Sequence, residues 1–92
     1  MKISVQFHGI LADWVGTPSA RFELSDGSIY ADLMQEIGRQ YRQNMPNQLW
    51  DHENNAFNQK VRAFRDEKAL DTTDSPLSDG EKITFLLMMA GG

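Results

Sequence analysis

Ninety-two residues suit one compact domain with a single core, and a 40% hydrophobic content with five Phe, two Trp and two Tyr argues against a wholly disordered chain. A formal net charge of −4 opposes the counterion release on which nucleic-acid binders depend, and the absence of Cys excludes a disulfide framework, a thiolate zinc site and a cysteine nucleophile. No apolar run approaches the ~20 residues that span a bilayer, and the opening residues do not form a signal-peptide core, so a cytoplasmic protein with no membrane or nucleic-acid partner is expected.

In chain order, Lys2 to His8 alternates, with Ile3, Val5 and Phe7 on one face and Lys2, Ser4, Gln6 and His8 on the other, the two-residue period of a strand. Gly9 breaks it, and Ile10–Val15 reads as a short helical turn that packs Leu11, Trp14 and Val15 inward. Arg21 to Leu24 predicts a second strand, closed by Ser25-Asp26-Gly27 and paired with the first. Ser28 is a candidate N-cap for the main helix, where Ile29, Leu33, Ile37 and Tyr41 recur at four-residue spacing and Pro46 sets the end at or before Met45. Gly38 costs that helix about 1 kcal/mol against Ala.

Five Asn between residues 44 and 59 predict a long loop containing Trp50. A third strand is expected over Gln59 to Arg65, a short fourth near Ala69 to Thr72, a tight turn at Pro76 to Glu81 and a last strand from Lys82 to about Met89. That last strand is apolar on both faces, which suits a central position, and a central last strand beside the first must run parallel to it. The crossover lays the helix on one face. The predicted fold is therefore α+β: a ubiquitin-like β-grasp with a mixed sheet of four to five strands and one main helix, in a single domain over residues 1–92 with a flexible tail at about 90–92.

Conventional active-site patterns are missing. His8 and His52 are far apart, there is no His-Glu-x-x-His or Gly-x-Ser-x-Gly, and Asp51-His52-Glu53 reads better as a solvated charge run than as a metal site. No bound cofactor or metal is expected. Lys60, Arg62, Arg65 and Lys68 make the third strand locally basic, which fits a protected edge better than a docking site. What remains is the end, Ala90-Gly91-Gly92, where residues without a Cβ can thread a narrow channel and leave a carboxylate unhindered.

The run Val5 to Leu11, Val15-Gly16, the turn Ser75 to Glu81, the apolar last strand and Gly91-Gly92 together resemble the MoaD/ThiS family of sulfur carriers, nearest the molybdopterin synthase small subunit. The final Ala-Gly-Gly is closer to the thiamine branch. The resemblance implies that Gly92, preceded by Gly91, carries the chemistry: an E1-like adenylyltransferase of the MoeB/ThiF type activates its carboxylate with ATP and Mg, and a persulfide donor converts it to a thiocarboxylate. A larger synthase subunit of the MoaE type, or an equivalent acceptor enzyme, then takes the sulfur, the small protein itself being non-catalytic. It also implies docking through the sheet face opposite the helix, at positions matched here by His8, Leu70 and Leu86, with Met88 added by alternation. The competing readings are a thiamine-type or other sulfur carrier, a ubiquitin-like modifier joined to lysines, and a non-covalent interaction module with incidental glycines.

Overall fold

The computed structural model describes residues 1–66, 68–70, 72 and 74–88. In chain order the elements are β1 (Lys2–Phe7), α1 (Ile10–Val15), β2 (Ser19–Glu23), α2 (Tyr30–Tyr41), β3 (Trp50–Asp51), β4 (Ala56–Phe57), β5 (Val61–Arg65), β6 (Lys68–Leu70) and β7 (Glu81–Leu87). Five strands form one mixed sheet in the order β2-β1-β7-β5-β6. β7 lies at its centre, parallel to β1 with Val5 opposite Ile83 and Phe7 opposite Phe85, and antiparallel to β5. The β-grasp expectation is met, including the parallel central pair read from the two-faced apolar pattern of the last strand.

One sheet face is the core. Ile3, Val5, Phe7, Ala63, Leu70, Ile83 and Phe85 are buried there together with Leu33, Met34 and Ile37 of α2. Each fully buried large aliphatic or aromatic side chain contributes about 1.5 to 3 kcal/mol. The stack of Phe7 on Phe85 at 5.7 Å ties β1 to β7. At the end of α1, Gly16 adopts φ 102°, and its N–H donates to the Ala12 carbonyl at 2.9 Å; a side chain in that left-handed conformation would be strained. Of the α1 residues expected to pack inward, Leu11 and Val15 are buried and Trp14 is partly exposed.

Helix α2 starts later than the Ser28 cap predicted. Ser28 instead closes a turn, its hydroxyl donating to the Ser25 carbonyl at 2.7 Å. Ile29 takes the capping position in extended conformation, and its N–H donates to the Asp32 carboxylate at 2.8 Å. The reason lies far along the chain: the Tyr30 N–H donates to the Ser75 carbonyl and the Leu77 N–H to the Ser28 carbonyl, so the Pro76 turn pulls residue 29 into a bridge and out of the helix. The helix ends at Tyr41, followed by a 3-10 turn over Arg42–Asn44.

The predicted loop over residues 44–59 is corrected. It contains the β3–β4 hairpin, and Met45, Leu49 and Trp50 within it are buried, Trp50 completely. The polar residues do form turns, as their composition implies. Asp51 accepts bonds from the Glu53 and Asn54 backbone N–H groups and from Asn54 Nδ2, and Asn55 takes a left-handed φ of 55°. These turns are pinned on both sides by apolar residues, so the segment packs as part of the core. Trp50 lies against Gly38 of α2, where a Cβ would come within 2.6 Å of both Trp50 Cζ2 and Asn55 Oδ1. A glycine that looks like a weakness in the helix is the contact point for this hairpin.

Candidate functional site

The sheet face opposite α2 is left open by the rest of the described chain. Phe57 of the β3–β4 hairpin packs on Phe7 and Phe85, both core-facing, and Trp50 packs on Gly38, so the hairpin sits on the helix side. Strand alternation and register place the open-face residues in lateral rows. One row runs Arg21, Ser4, Lys82 across β2, β1 and β7. The next runs Ser19, Gln6, Thr84, Phe64, Ala69 across all five strands. In the third, Leu86 stands opposite Arg62 of β5. His8, just beyond β1, donates its backbone N–H to the Phe85 carbonyl at 3.1 Å and so falls beside Leu86.

Three of the sequence-selected residues are thus brought together. Leu86 is partly buried, His8 is exposed, and Met88, one alternation step beyond Leu86, is 47% exposed. Leu70 is a correction. It pairs with Ala63, faces the helix and is only 6% exposed, so it is a core residue and offers no docking surface. The open-face position on β6 is Ala69. Sequence matching missed it by one residue, and in a strand one residue reverses the face.

Phe64 was overlooked. It stands in the open-face row beside Thr84, diagonal to Leu86, and is partly exposed. Alternation of Val61, Ala63 and Arg65 against Arg62 and Phe64 held that signal. The basic residues of this region also divide by face. Arg65 Nε lies 2.7 Å from Glu81 Oε2, as an ion pair whose angle is poor for a hydrogen bond, and Nη2 donates to the Pro76 carbonyl at 2.9 Å. Arg65 therefore fastens β5 to the turn before β7, while Arg62 is exposed on the open face.

The strand bearing Leu86 leads towards the glycines. The Met88 N–H extends the β5–β7 ladder by donating to the Lys60 carbonyl at 2.6 Å. Gly91 and Gly92 lie outside the described residues. Elsewhere, Asp51 is engaged in its turn, where the bonds from Asn54 hold its carboxyl below the usual range, and among the described residues no group of three His, Cys, Asp or Glu is arranged to hold a metal. No helix among them is long and apolar enough to cross a membrane. Among the described residues, the arrangement offers an open sheet face with apolar side chains at Phe64, Leu86 and Met88, and no constellation for acid–base or nucleophilic catalysis.

Comparison with known proteins bears on that arrangement. The model of the ThiS family matches residues 5–92. A search of curated protein sequences finds no match. Among solved structures, the chain is similar to SAMP1, the small archaeal modifier protein 1 of Haloferax volcanii, at 12% identity with a TM-score of 0.81 and all of both chains covered. It is similar to a putative molybdopterin converting factor subunit 1 from Pyrococcus furiosus at 18% identity and a TM-score of 0.73, covering 97% of this chain and 99% of that one. It also resembles a chain in the complex of subunits 1 and 2 of molybdopterin-converting factor from Helicobacter pylori 26695, at 17% identity and a TM-score of 0.55 with both chains fully covered. At these identities the structural matches speak for the fold.

Proposed function

Since the chain belongs to the ThiS family of small ubiquitin-like sulfur carriers, we propose that Gly92 is its reactive residue and that it donates sulfur for cofactor biosynthesis, with a molybdopterin precursor as the acceptor. The observation that carries this reading is the family match extending beyond the central strand through Gly91 and Gly92. A carboxylate is a poor acyl donor, and attack on the α-phosphate of Mg-ATP in an E1-like enzyme makes an acyl adenylate with pyrophosphate as the leaving group. A persulfide sulfur then displaces AMP, and cleavage of the acyl disulfide by a thiol leaves the thiocarboxylate. The chain's own part is to present its tail and to dock.

Docking falls to the open face, where His8, Phe64, Leu86 and Met88 adjoin the strand that leads to the tail. Met suits a surface that must fit both an activating enzyme of the MoeB/ThiF type and an acceptor such as a MoaE-type subunit. The Helicobacter pylori complex of two different subunits supports the idea of a partner subunit. Incubation with ATP, magnesium, an E1-like enzyme and a sulfur source should raise the intact mass by one oxygen-to-sulfur exchange in the last peptide. A competent enzyme that leaves the mass unchanged, or modifies another site, refutes the carrier reading. The similarity to a small archaeal modifier protein favours a second reading, in which the same activated Gly92 ends in an isopeptide bond. Conjugates that survive reducing agent in a lysate would distinguish it.

A further inference from the structure

The open face is not uniform. Its end at the last residues of β7 carries Phe64, Leu86 and Met88, whereas the other end is a shallow depression lined by Ser4, Gln6, Ser19, Arg21 and Lys82, with no carboxylate on its walls. Arg21 and Lys82 flank Ser4 from the two neighbouring strands, so their Cα atoms stand about 10 Å apart and their long side chains can converge on one group. Both are exposed, and neither has an ion-pair partner among the described residues; nor does Arg62, beside Leu86. In a chain of net charge −4, Arg21, Lys82 and Arg62 thus stand on the open sheet face without an ion-pair partner among the described residues, with Glu23, opposite Lys2 on β1, as a neighbouring carboxylate.

We infer that the Arg21–Ser4–Lys82 row binds carboxylates on the activating enzyme, so that this enzyme's docking surface is apolar opposite Leu86 and acidic opposite Ser4. The inference rests on the proposed carrier function and adds the chemistry of the partner. Two other occupants are disfavoured physically. A second copy docking face to face would set like charges against each other, and a polyanion would meet the net negative charge of the whole chain. An acidic rim on a protein surface satisfies both the cations and the apolar end. Because the rim remains hydrated, its main effect is on encounter rate and orientation, which brings the apolar end and the adjoining tail into register with the enzyme's nucleotide site.

The test uses the full chain, its own organism's E1-like enzyme, and the double variant Arg21→Glu with Lys82→Glu. Both positions are exposed, so the melting temperature should stay near wild type. Association with the enzyme should slow about tenfold or more at low salt, and the salt dependence seen in wild type should flatten or reverse. Arg21→Gln with Lys82→Gln should lie between. If the double Glu variant associates and gains sulfur at the wild-type rate while wild type shows no salt dependence, the docking inference is overturned and the carrier function stands. If wild type neither binds the enzyme nor gains sulfur, both are overturned.

Discussion

Replacing Gly38 by Ala tests where the Trp50 hairpin sits, and with it whether the open face is free. On helix propensity alone the substitution stabilises by about 1 kcal/mol. The added Cβ, however, would lie 2.6 Å from Trp50 Cζ2 and 3.3 Å from Cη2, when comfortable carbon contacts fall at about 3.5 to 4.0 Å. Asn55 Oδ1, also at 2.6 Å, can rotate aside. Trp50 cannot do so cheaply, being fully buried and edge-on to Phe57 at 5.0 Å, which in turn packs on Phe85 at 5.1 Å. Overpacking of this kind costs about 1 to 3 kcal/mol, so the net effect is a loss of about 1 kcal/mol. For a domain of this size that lowers the melting temperature by about 4 to 8 °C. Denaturant melts of the single variant, and of the same change in a Trp50→Phe background, separate the two contributions. In the smaller-ring background, Gly38→Ala should become neutral or stabilising. A wild-type background in which Gly38→Ala stabilises by its full propensity gain would falsify the contact, and the hairpin would then have to lie elsewhere.

Phe85→Ala removes a fully buried ring and should cost about 3 to 5 kcal/mol, whereas Leu86→Glu, one residue on, should keep the fold and weaken enzyme binding; equal unfolding would place Leu86 in the core. Leu70→Ala should likewise lower stability by about 2 kcal/mol or more, while Ala69→Asp should leave melting nearly unchanged and slow docking, and the reverse pattern in calorimetry would restore Leu70 to the surface. Burial pushes the Tyr30 phenol well above its ordinary value of 10.0. Above that pH the unfolded chain sheds a proton that the folded chain keeps, so stability should fall as pH rises past it, and a Tyr30→Phe variant whose alkaline unfolding profile matches wild type would contradict this.

The strands and the main helix were legible because each buries one face, and burial writes its period into the residues: two in Lys2–Phe7, about four between Ile29 and Ile37. The doubly apolar last strand announced its central place in the same way. Leu70 and Phe64 were harder. Two or three residues of β6 are too few to show a period, and which of Ala69 and Leu70 faces the helix is decided by pairing with β5. Likewise Ser28 has the chemistry of a cap and loses the role to Ile29 because the distant Pro76 turn bridges there.

Local residue chemistry, then, determined the fold class, the absence of a thiol and the Gly-Gly end. Tertiary structure alone decided that the Asn-rich segment folds onto Gly38, that Arg65 is bound to Glu81 while Arg62 is open, and that Arg21 and Lys82, 61 positions apart in sequence, flank one serine. The physical reason is the same in each case: periodicity is a property of neighbours along the chain, whereas contact across strands depends on register, which the packing of the whole core sets.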